Sequence, residues 1–90
     1  MMAITQKCQY ALRALFELAR RDGQGPVKIG TVAEVQAIPP RFLEGILNQL
    51  KAGGFVESLR GKEGGYRLLR SPKDISVGDV IRYLQGSLSQ

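Results

Sequence analysis

The sequence holds no histidine, no tryptophan and a single cysteine, Cys8, in 90 residues. Without an imidazole, triads and general-base roles that depend on one are excluded. A His/Cys zinc site within one chain is excluded too, and a lone cysteine leaves no internal disulfide. Neither a P-loop nor a G-x-G-x-x-G pattern occurs. No apolar run approaches the roughly 20 residues needed to span a bilayer. Met1 to Arg21 carries internal charges and no small-residue cleavage site, so it does not read as a signal peptide. These absences point to the cytoplasm and leave little for an enzyme. Glu44, Glu57 and Glu63 fall on different predicted elements, so no carboxylate pair converges.

What is present is a small basic domain. Thirteen Lys and Arg stand against eight Asp and Glu, a net charge of +5, with a pI near 9.8. That balance favours a polyanionic partner, nucleic acid before a membrane surface. The apolar fraction of 43% and charged fraction of 23% are those of a folded chain. Ninety residues make one domain with a small core, which dimerisation would enlarge.

Helical periodicity predicts four helices. The first runs from Gln6 to Arg21 behind a Thr5 N-cap, with Ala11, Leu12, Leu15, Phe16, Leu18 and Ala19 on its apolar stripe. Lys7, Arg13, Glu17 and Arg20 fall off that stripe. Gly23-Gln24-Gly25-Pro26 stops it, and Val27-Lys28-Ile29 has room for a brief edge strand. A short helix over Ile29–Gln36 and a tight turn at Ala37-Ile38 follow. Pro40 suits position N1 of a third helix that reaches Ala52, buries Leu43, Ile46, Leu47 and Leu50, and stops at Gly53-Gly54. Ser76 and Asp79 form a capping box for a fourth helix, with Ile75 and Val80 as its staple. That helix is expected to turn Val77, Val80, Ile81 and Leu84 inward and to end at Gly86. The domain is thus expected over 1–86, with 87–90 a tail.

Between the last two helices lies Phe55 to Leu69. Two β-like runs flank Arg60-Gly61-Lys62-Glu63-Gly64-Gly65, a hairpin pattern with a basic tip. Alone it reads equally as a solvated surface hairpin. Placed after a helix-turn-helix, it reads as a wing. The fold class is then α+β, mainly helical: a winged helix-turn-helix with a two-stranded hairpin. The outer face of the third helix offers Arg41, Glu44, Gly45, Asn48 and Lys51. Arg pairs with guanine, Asn with adenine, and Glu accepts from cytosine. A solvated polar face carries the same residue types. A winged helix used only to bind another protein is the alternative reading of the whole pattern.

The chain resembles the DNA-binding portion of the Rrf2-type regulators, the group of IscR, NsrR and CymR. Tyr10-Ala11-Leu12-Arg13-Ala14-Leu15, Phe42-Leu43-Glu44 with Ile46-Leu47 and Leu50, and Ala52-Gly53-Gly54-Phe55-Val56 carry that likeness. The most specific match is Arg60-Gly61-Lys62-Glu63-Gly64-Gly65-Tyr66-Arg67-Leu68, followed by Ile75-Ser76-Val77. The resemblance implies a bacterial, dimeric, sequence-specific regulator of transcription, usually a repressor, bound to double-stranded DNA at a palindromic operator. Glu44 matches a recognition-helix glutamate and Arg60 the wing arginine. Base contacts are therefore expected of Arg41, Glu44 and Asn48, wing insertion of Arg60, and phosphate contacts of Lys7, Lys51, Lys62 and Arg67. Tyr66 has two readings, a ring packed beneath the hairpin or a hydroxyl on the DNA backbone. Many family members hold an iron–sulfur cluster on three cysteines ahead of a long dimer helix. That cysteine cluster is absent here, so no cofactor is expected within this chain. The chain is then either truncated or a short member with another dimer surface. Cys8 is expected to be a buried structural thiol.

Overall fold

The structure, a computed structural model, describes residues 4–88, with side chains to Gly86. Its order is α1 (Gln6–Arg20), α2 (Ile29–Gln36), α3 (Pro40–Ala52), β1 (Val56–Leu59), β2 (Gly65–Leu68), a 3-10 turn (Pro72–Asp74) and α4 (Val77–Leu88). No helix among the described residues is long and apolar enough to cross a membrane.

Each boundary has a local cause. Thr5 Oγ1 accepts from the Cys8 amide at 3.1 Å and caps α1. Ala37 takes a left-handed conformation (φ 53°), and Ile38 bonds back to the Ala33 carbonyl, turning α2 into α3. At the end of α3, Gly54 adopts φ 81° while its amide reaches Lys51 O and the Phe55 amide reaches Leu50 O. These paired bonds close the helix and release the chain into β1. Ser76 Oγ accepts from the Asp79 amide at 3.0 Å to start α4. The Asp79 carboxyl is held below its ordinary range, first by its bond with Ser76 and then by Arg82.

The helices close on one core. Cys8, Ala11, Ala14, Leu15 and Leu18 of α1 meet Leu43, Ile46, Leu47 and Leu50 of α3, and Val80 and Leu84 of α4 join them. Cys8 is fully buried, as expected of a structural thiol. β1 and β2 pair antiparallel with Val56 opposite Leu68 and Glu57 opposite Arg67. The brief strand expected near Val27 is a single bridge to Tyr66, with bonds of 2.7 and 2.8 Å in the two directions.

Four expectations need correction. Glu17 is completely buried rather than off the stripe. Arg20 of its own helix, Arg21 just past the end of that helix and Gln36 of α2 satisfy its carboxylate, with Arg20 at 2.6 Å and Gln36 at 3.0 Å. Phe16 (62% exposed) and Val77 (59%) are not core. They flank an open apolar groove with Leu12 and Ile75, between α1 and the approach to α4. The apolar stripe is simply wider than the element packed on it. Finally, α4 runs through Gly86 to Leu88. A helical glycine costs only about 1 kcal/mol, so Gly86 alone does not end the helix. The tail expected from 87 therefore begins as helix, and 89–90 lie outside the described residues.

Candidate nucleic-acid interface

α3 carries Arg41, Glu44 and Asn48 at spacings of three and four, which places them on one face. All three are exposed. The core residues Leu43, Ile46, Leu47 and Leu50 hold the opposite face. Among the described residues Arg41 and Glu44 make no ion pair. Glu44 is thus an unneutralised carboxylate on a basic domain. Such a charge repels phosphate and favours a donor such as a cytosine amine.

The wing rises from the C-terminal end of α3. Lys51 donates to Ser58 Oγ at 3.0 Å, tying the last turn of α3 to β1. Arg70 donates to the Gly54 carbonyl at 3.2 Å, and its guanidinium lies 4.7 Å from the centre of the Phe55 ring. A positive group there complements the helix terminus. At the tip, Gly64 and Gly65 are required by space. A Cβ on Gly65, whose φ is 147°, would come within 2.5 Å of the Val27 carbonyl oxygen. Arg60 and Lys62 are exposed at this tip and make no ion pair among the described residues.

Two further expected phosphate ligands lie off the outer face of α3 and the wing tip. Arg67 is engaged with Glu57 directly across the hairpin, Nε to Oε2 at 2.7 Å. That carboxylate offsets much of its charge, and the pair faces the end of α1, beside Arg21 and Asp22. Lys7 lies on the first turn of α1, half-buried, across a groove from Arg41. Tyr66 is half-buried and packs on the core, which is the packing role of its two readings.

Three residues were given no role by the sequence reading. Arg70 and Tyr83 fix the wing and α4 to the end of α3. The Tyr83 ring meets Phe55 at 5.6 Å between centroids. Phe42 sits at the start of α3 with 61% of its surface exposed. Its position off the Leu43–Ile46–Leu47–Leu50 stripe was the available signal.

Among the described residues no three His, Cys, Asp or Glu side chains converge as a metal site. Cys8 is buried alone in the core. The residues present do not fit an iron or iron–sulfur centre.

This architecture is a winged helix-turn-helix. The family model for Rrf2, described as an iron-dependent transcriptional regulator, matches residues 4–90. CymR of Bacillus subtilis, an HTH-type transcriptional regulator, is 38% identical over 88 residues, covering 98% of this chain and 64% of its own. The solved structure titled T. potens IscR superposes with a TM-score of 0.90 at 43% identity, covering 96% of this chain and 63% of that one. The CymR structure from B. subtilis gives 0.91 at 37% identity, covering 100% and 70%. The chain belongs to the Rrf2 family, whose members here are transcriptional regulators and not enzymes. It spans about six-tenths of the length of the first curated relatives it matches, 59% and 64%.

Proposed function

We propose that this chain is the DNA-reading part of a cytoplasmic transcriptional regulator. It binds a palindromic operator as a homodimer and acts as a repressor. α3 enters the major groove of each half-site, roughly 10 base pairs or a multiple apart. Arg41, Glu44 and Asn48 address base edges, and the wing inserts Arg60. Lys62, Lys51 and Lys7 serve the phosphates, with Arg67 the weakest of that set because Glu57 holds it. No cofactor is needed within these residues for that binding. The observation carrying the reading is the exposed Arg41–Glu44 face of α3 together with the exposed wing cations Arg60 and Lys62, none of them in an ion pair among the described residues.

Selection from a random duplex pool at moderate salt tests it. The expected result is an inverted-repeat consensus whose affinity falls steeply with salt. Recovery of no consensus would remove operator reading and leave a winged helix that binds another protein.

A further inference from the structure

We infer that Phe42 reads the C5-methyl group of a thymine in the major groove. This rests on the operator-reading function proposed above and adds to it a residue and a base. Phe42 lies in the first turn of α3, and the first turns of a recognition helix are the ones that meet base edges. Its ring is 61% exposed although the helix buries four other apolar side chains completely or nearly so. No aromatic partner engages it among the described residues.

The neighbourhood has the shape that such a contact needs. At about 100° per residue, Gly45 falls between Arg41 and Phe42 around the helix. Gly45 has no side chain, and a Cβ built there meets nothing within 4 Å. An open slot therefore separates a guanidinium from an aromatic ring. The slot opens into a groove of about 500 Å³ between α3 and the first turns of α1, lined by Phe42, Gly45, Ile46, Tyr10, Lys7 and Arg41. Its walls are mainly apolar ring and aliphatic surface, with Lys7 and Arg41 supplying the charge. An apolar wall rimmed by cations suits the methyl-bearing edge of an A·T pair, with phosphate close by. Of the bases, thymine alone presents an apolar group in the major groove, and phenylalanine is among the side chains that contact it. Gly45 is then the residue that lets the base edge come close, and its cost to the helix has a use.

The test replaces each thymine of the selected duplex by deoxyuridine, which removes the methyl group and leaves every hydrogen-bonding atom. The wild-type chain should lose about three- to fivefold in affinity at one symmetric pair of positions. Phe42→Ala should bind the thymine duplex as weakly as the wild type binds the uracil duplex, and should not distinguish the two. Phe42 is exposed, so the variant should melt with the wild type. Phe42→Leu keeps an apolar contact and should restore part of the preference. A wild type that selects a consensus yet ignores every methyl overturns this inference and leaves the operator function intact. Methyl dependence that survives in Phe42→Ala, or an equal loss on both duplexes, overturns it as well. Failure to select any duplex removes both.

Discussion

The Tyr83 hydroxyl donates a 2.7 Å hydrogen bond to the main-chain carbonyl of Gln49, joining α4 to the last turns of α3. The same ring covers Gly53 so closely that an added Cβ would lie 2.7 Å from a ring carbon. Tyr83→Phe should lose about 0.5–1.5 kcal/mol through that bond alone. Gly53→Ala should lose about 1–3 kcal/mol through overpacking. Urea denaturation separates the two, and an unchanged slope confirms that each acts on the native state.

Arg60 and Lys62 occupy one wing tip and should differ in what they read. Arg60→Ala should weaken operator binding by about 1–3 kcal/mol and relax specificity at one position. Lys62→Ala should weaken all duplexes alike and reduce the salt slope by about one. Titrations of operator and random duplex across a salt series provide the check. If Arg60→Ala follows the Lys62 pattern, Arg60 contacts phosphate only.

Glu17 gives the fold an acid limit. The bond to Arg20, with Arg21 and Gln36, lowers its pKa from 4.5 to about 2 against the opposing effect of burial. A depressed carboxyl pKa stabilises the native state above the unfolded value, and the contribution is lost as protons are taken up. Stability from this site should therefore be complete above pH 4.5 and fade as pH falls toward about 2. Glu17→Gln should cost about 1–3 kcal/mol near neutrality. It should also flatten that acid limb in thermal melts recorded across the same window.

Gly65→Ala should detach the wing from the segment before α2. The new methyl meets the Val27 carbonyl, and φ of 147° strains any other residue. A loss of about 1–3 kcal/mol is expected from the backbone alone. Amide exchange at Val27 and Tyr66, which bond each other in the native chain, should accelerate selectively.

Much of this was legible because the signals were local. Thr5, Pro40, Gly54 and Ser76 act within one turn of their own positions, so the starts and stops they set follow from neighbouring residues. The Gly64-Gly65 pair marked the wing for the same reason. Glu17 was misplaced because its partner Gln36 lies 19 residues away, a distance that periodicity does not sense. Phe16 and Val77 matched an apolar stripe, but a stripe says what is apolar and not how much of it a neighbour covers. On the candidate interface, the residue types on α3 were evident from spacing. That Glu57 would occupy Arg67 needed the hairpin register, and that Lys51 would reach Ser58 needed the angle at which the wing leaves the helix.

The bridge from Val27 to Tyr66 has a thermodynamic consequence. Two backbone bonds fix the wing to the segment entering α2, while Lys51 and Arg70 fix it to the end of α3. Wing base and α3 thus belong to one frame before any partner arrives. Such a frame loses little conformational freedom on binding. In the proposed operator complex the distance between helix and wing would act as a ruler, and a duplex of unsuitable groove width would have to deform to meet it. Part of the selectivity of that complex would then be set by how readily a DNA sequence bends, at base pairs that no side chain touches.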